Sequence, residues 1–144
     1  MIGHARSRDL DHWETQPPLS QPNAGFGQLE VPQVEVTAGQ PVLIFSCLAE
    51  DMAPGRDLTG GTWALVADSP LGPFDIRQAQ PLTDHDLYSG RLIQDRQGRW
   101  VLLGFHNRDE RGGFVGELSD PIPVEWKDDA EGRLRLATAP SALV

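Results

Sequence analysis

The feature that most constrains how this chain can fold is an internal repeat. Residues 35–46, EVTAGQPVLIFS, and residues 94–105, QDRQGRWVLLGF, share one layout: the end of a strand, a Gly-containing turn, then a strongly apolar strand. Each is followed by a polar loop, EDMAPGRDLTGG (50–61) or HNRDERGG (106–113), and by a third strand ending near a serine, LVADSPLGPFD (65–75) or VGELSDPIPVEW (115–126). Both then pass through a proline-containing turn to an aromatic residue. The opening HARSRDLDHWE (4–14) matches only the end of that unit: a strand, Ser7, a turn and Trp13. The chain therefore divides into the tail of one four-strand unit, residues 1–16, and two whole units, 17–82 and 83–144.

Short runs rich in Val, Ile, Leu, Phe and Trp, punctuated by Gly, Pro and Asp, carry no helical stripe and imply an all-β fold. The expected strands are LEVPQVEV (29–36), PVLIFSC (41–47), TWALVAD (62–68), FDIRQAQ (74–80), YSGRLIQD (88–95), RWVLLGF (99–105), FVGELS (114–119), VEW (124–126) and RLRLAT (133–138). TAGQ, DRQGR and SPLG are turns suited to antiparallel neighbours. Repeated four-stranded antiparallel units are blades of a β-propeller; the periodicity by itself also permits an up-and-down barrel or a sandwich. Propellers close with about four or more blades. This chain is thus expected to be part of a longer protein or to share closure with other copies, its open blade edges being available for self-association. Trp13, Trp63, Trp100 and Trp126 recur at similar places in successive units and are expected to pack between blades.

Charge and composition narrow the partners. A net charge of −9 disfavours nucleic acid and anionic membrane, and is compatible with a neutral, polyhydroxylated ligand. Cys47 is the sole cysteine and lies in an apolar run, so it is expected to be a small buried hydrophobe. His4, His12, His85 and His106 lack ligand spacing, so no metal is expected. No Gly-rich phosphate loop opens a helix, so no nucleotide cofactor is expected. The N-terminus lacks the apolar segment of a signal peptide and no apolar run approaches the roughly 20 residues of a membrane span, which makes the cytoplasm the expected compartment.

HARSRDLDHWE (4–14), GQLEVPQV (27–34), DLYSGRLIQDRQGRWVLLGF (86–105) and ELSDPIPVEW (117–126) together resemble glycoside hydrolase family 32, the β-fructosidase group with a five-bladed propeller, and its relatives in families 43, 62 and 68. HARSRDLDHWE resembles the recurring blade signature in which Ser-x-Asp-Leu-x-x-Trp joins the third and fourth strands. GQLEVPQV (27–34) resembles the Glu-Cys-Pro motif that carries the general acid/base. DLYSGRLIQDRQGRWVLLGF (86–105) resembles the later blade whose Phe-Tyr-Ala segment borders the sugar pocket, and ELSDPIPVEW (117–126) the close of the propeller. The resemblance implies about two complete blades plus the end of a third, from the C-terminal portion of a five-bladed propeller. Val31 stands where the commoner pattern has Cys. The family's nucleophile segment, Trp-Met-Asn-Asp-Pro-Asn, and its Arg-Asp-Pro motif do not occur; Arg8-Asp9 is followed by Leu10, and Asp9 is not assigned the stabilising role.

By this resemblance Glu30 is the general acid/base. Hydrolysing an O-glycosidic bond needs a proton donor to the leaving oxygen and a second carboxylate on the opposite face. The start of an innermost strand is a suitable place for the donor, and Pro32 just after it implies an edge strand. Phe26, Asp86, Tyr88 and Arg91 are candidate sugar contacts, three of them with an alternative: loop anchor for Phe26, blade packing for Tyr88, charge balance for Arg91. A surface or ion-paired Glu30 is the corresponding alternative for the acid. The expected partner is an oligo- or polysaccharide, with fructosides foremost, and two functions follow. One is a glycosidase whose nucleophile blade lies elsewhere, so that this chain alone is inactive. The other is a carbohydrate-binding propeller fragment without catalysis.

Overall fold

A computed structural model describes residues 1–53, 56, 60–109, 111–130 and 132–139. Part of the polar loop at 50–61 (54, 55 and 57–59), residues 110 and 131, and the end of the last unit (140–144) lie outside the described residues. The described chain is all-β, without an α-helix: β1 (His4–Ser7), β2 (Trp13–Gln16), β3 (Glu30–Thr37), β4 (Gln40–Cys47), β5 (Gly61–Val66), β6 (Gln80–Pro81), β7 (Leu87–Gln94), β8 (Trp100–Arg108), β9 (Phe114–Leu118), β10 (Ile122–Asp128) and β11 (Leu134–Thr138). β1 and β2 form a two-stranded hairpin, and β3-β4-β5-β6 a four-stranded antiparallel sheet. The third sheet runs β7-β8-β10-β11, with β9 also paired to β8.

The apolar run in β4 explains why two sheets stack. Side chains alternate across a strand, so Leu43, Phe45 and Cys47 enter one core cluster while Val42 and Ile44 enter another. The first cluster joins β4 and β5 to Phe74, Ile76 and the N-terminal residues Ile2, Leu19 and Phe26. The second joins them to Leu82, Leu87, Leu92, Leu102 and Leu136 of the following sheet. A sheet covered on both faces needs a continuous apolar strand, which is what β4 supplies.

One expected strand and one expected pairing are corrected. In FDIRQAQ, Ile76–Gln78 forms a 3₁₀ turn, leaving two ladder residues in β6. The Asp75 carboxylate accepts from the Arg77 backbone N–H, and Phe74, Ile76 and Ala79 drop into the first cluster. In the last unit the third position is shared: β9 pairs with the C-terminal half of β8, then Ile122 and Pro123 of β10 pair with Leu102 and Val101 before β10 leaves to pair with β11. The break falls at Ser119, whose hydroxyl accepts from the Gly104 N–H at 3.0 Å while its own N–H donates to the Gly104 carbonyl at 2.9 Å.

The tryptophans divide. Trp63 is buried in the first cluster, Trp100 and Trp126 pack on the second, and the Trp126 indole N–H donates to Thr37 Oγ1 at 3.0 Å, tying β10 to the end of β3. Trp13 differs from expectation: it is 59% exposed and bonds to the Leu10 carbonyl within its own hairpin. Cys47 is fully buried, and that burial raises its thiol pKa above the ordinary value.

Candidate active site at the blade junction

β3 and β7 open the second and third sheets, and each begins with the same irregularity. The register of β3 on β4 shifts between Glu30 and Gln33; that of β7 on β8 shifts between Tyr88 and Arg91. In both, the residue just after the first bulge partner is left-handed: Val31 at φ 45° and Ser89 at φ 52°. A β-branched residue at positive φ is strained by about 1–3 kcal/mol and persists where surrounding contacts hold it. The repeat therefore superimposes Glu30 on Tyr88 and Gln33 on Arg91, as corresponding residues of neighbouring sheets.

The two bulges meet. The Tyr88 hydroxyl donates to Glu30 Oε2, and the Arg91 guanidinium donates to the Val31 carbonyl. Tyr88 is 7% exposed, and burial, followed by its bond to Glu30 and the charge of that carboxylate, drives its pKa well above the ordinary tyrosine value. The charge of Asp51, at the end of the 3₁₀ turn Ala49–Asp51, bears on both Tyr88 and the Cys47 thiol. Glu30 itself is half-buried. A carboxyl reached by one phenol and still open to solvent can exchange a proton with a bound molecule.

The other candidates are placed apart from that contact. Phe26 lies edge-on to Phe45 and Trp63, at 4.9 and 5.0 Å between ring centres, with the Arg56 guanidinium 4.2 Å from its own ring centre. Its loop lines a shallow depression with Gly25, Gly27 and Asp51. Asp86 faces His106, Oδ2 to Nδ1 at 3.4 Å, in a separate depression with Thr83 and Leu87. The sequence reasoning missed Gln33, Asp51 and Arg56. Arg56 stacks on Phe26 and donates to the carbonyls of Ala24, Ile76, Arg77 and Ala79, closing the loop that leads into β3. A lone Arg in a polar loop gives no such signal, whereas Gln33 sits at the position matching Arg91 and was open to detection by aligning the two units. Among the described residues, no three His, Cys, Asp or Glu side chains group closely enough to hold a metal ion.

No family model matches this chain, and no curated protein sequence matches it. Solved structures do. An inulosucrase from Halalkalicoccus jeotgali, bound to kestose, is similar over 94% of this chain and 39% of its own length, with 24% identity and a TM-score of 0.66. A family 32 β-fructofuranosidase from Bombyx mori is similar over 84% of this chain and 28% of its own, at 21% identity and TM-score 0.63. An endo-arabinase from Bacteroides thetaiotaomicron is similar over 89% of this chain and 52% of its own, at 19% identity and TM-score 0.50. The chain thus spans well under half the length of the first two. The family 32 resemblance read from the residues agrees with these neighbours, and what the likeness shows is the fold: this chain is a set of β-propeller blades of the kind found in the β-fructofuranosidases.

Proposed function

We propose that the junction of β3 and β7 is the acid/base side of a glycosidase site acting on fructoside-type O-glycosidic bonds, with Glu30 as proton donor and acceptor. One observation carries this reading: Glu30 heads the first strand of a blade and meets, across the junction, the hydroxyl of the residue in the equivalent position of the next blade. Tyr88 orients the carboxyl from a ring buried in the junction, its hydroxyl donating to Glu30. The kestose bound by the inulosucrase neighbour supports a fructo-oligosaccharide as the ligand class.

The reaction is a proton delivery. As the bond between the anomeric carbon and the departing oxygen breaks and the opposing carboxylate takes that carbon, the Glu30 carboxyl gives its proton to the departing oxygen; the oxygen of water, or of an acceptor alcohol, then attacks the carbon, displaces the opposing carboxylate and passes its proton to Glu30. The opposing carboxylate belongs to a nucleophile segment that this sequence does not contain, so the 144-residue chain alone is expected to bind sugar without sustained turnover. That same fact favours the second reading, a carbohydrate-binding fragment without catalysis. The test is Glu30→Gln in a protein that carries both carboxylates: loss of an acid/base lowers turnover of unactivated fructosides by about 10²–10⁴-fold. Turnover within tenfold of the parent would remove Glu30 from the reaction and leave the binding reading.

A further inference from the structure

β3 and β7 belong to different sheets, and side chains take the place of a backbone ladder between them. Gln33 carries one carbonyl and one amide group, the same pair a peptide unit offers. Its Oε1 accepts from the Leu92 N–H and its Nε2 donates to the Leu92 carbonyl, both at 2.9 Å. In the opposite direction, Arg91 of β7 donates to the Val31 carbonyl of β3. Each of these residues is the one that resumes pairing after its strand's bulge, and the residues that precede the bulges, Glu30 and Tyr88, form the contact between them. The arrangement is reciprocal: each strand clasps the other's backbone immediately beside the pair of functional side chains.

We infer that Gln33 and Arg91 form a two-way latch that positions the Glu30 carboxyl on the Tyr88 hydroxyl and keeps Val31 in its left-handed conformation. The inference rests on the reading of Glu30 as the acid/base and deepens it: Arg91 acts as a positioning residue through Val31, and Gln33, through Leu92, holds β7 at the distance the contact requires. Neither group needs to touch sugar. The latch accounts for the strained Val31, since a carbonyl held by a guanidinium cannot rotate away without losing that bond, and it accounts for Gln33 pointing along the junction instead of into solvent.

The test uses the chain's single tyrosine. With carbon-13 at the ring carbon that bears the hydroxyl, the 144-residue chain gives one tyrosine resonance, whose position reports the hydrogen bond of Tyr88 at neutral pH. Glu30→Gln sets the full displacement expected when the carboxyl acceptor is replaced by an amide. Gln33→Met and Arg91→Met are expected to move the resonance in the same direction by at least half that amount, and Arg91→Lys, which keeps a donor, to restore it. Trp126→Phe removes a different bond between the same two sheets and is expected to leave the resonance in place. Should one methionine variant fail to fold, the other carries the test. Methionine variants that leave the resonance at the parent position, while Glu30→Gln moves it, overturn the latch. If Glu30→Gln moves nothing either, the contact itself is absent and the latch falls with it. The acid/base assignment is decided separately by turnover, so a failed latch and a failed catalytic reading give different results.

Discussion

Replacing Glu30 with Gln should make Tyr88 easier to ionise, and the size of the effect follows from the contact. In the parent chain a phenolate at position 88 would form in a buried site, facing a carboxylate that now accepts its proton. A hydrogen bond to a charged partner contributes about 1.5–3 kcal/mol, and one pKa unit corresponds to about 1.4 kcal/mol. The amide keeps the shape and removes the charge, so the Tyr88 ionisation should fall by about 1–2 units. It should stay above the ordinary value near 10, because the burial that is the larger cause remains. The stability linkage has a definite sign. A group whose folded pKa is raised contributes stability that is complete below its unfolded pKa and is lost as pH rises through the folded value. The parent should therefore go on losing stability to higher pH than the variant, whose loss from this group stops once its own Tyr88 has ionised. The assay is the near-ultraviolet absorbance of tyrosinate during alkaline titration, unambiguous because Tyr88 is the one tyrosine. A midpoint unchanged or raised in Glu30→Gln would refute the reasoning.

Other outcomes follow from the packing. Trp126→Phe and Thr37→Val, combined in a double-mutant cycle by denaturant unfolding, should show a coupling of about 1 kcal/mol, because the buried Thr37 hydroxyl accepts from the indole across the sheet junction; additive effects would mean the bond is not made in solution. Gly61→Ala should lose about 1–3 kcal/mol of unfolding free energy, since its φ is +84° and a Cβ there would lie 2.5 Å from the Asp84 carbonyl oxygen. Bonds from the Arg77 and Gln78 side chains hold the Asp75 carboxyl down, at about 2. Its contribution is present above the ordinary carboxylate range and lost as pH falls from about 4 toward about 2; Asp75→Asn should flatten that part of the acid unfolding curve.

The blades were legible because the signals that specify them are local and repeated. Apolar β4 and β8 stand out in hydropathy, and two of the turns between strands share one device. Asp95 accepts from the backbone of Gln97 and Arg99, with left-handed Gly98 between; Asp129 and Gly132 build the same turn ahead of Arg133. The missing strand in FDIRQAQ was not legible, because alternation there reads as β while one carboxylate, Asp75, tips the backbone into a 3₁₀ turn. The division of β9 and β10 was likewise hidden, since it depends on Ser119 bonding Gly104, a contact between residues far apart in sequence. At the site, Glu30, Tyr88 and Arg91 came from resemblance and blade position. What they bond to did not, for Arg91 reaches a backbone carbonyl sixty positions away.

The most direct measurement of the acid/base claim is the dependence of turnover on leaving group in Glu30→Ala, in a protein that also holds the opposing carboxylate. Fructosyl fluoride departs without needing a proton, whereas the alkoxide leaving group of kestose does need one. The account predicts that the variant loses about 10²-fold or more in cleavage of kestose while the initial release of fluoride from fructosyl fluoride, which precedes the base-assisted attack of water, stays within about tenfold of the parent. Equal losses on both substrates would contradict it.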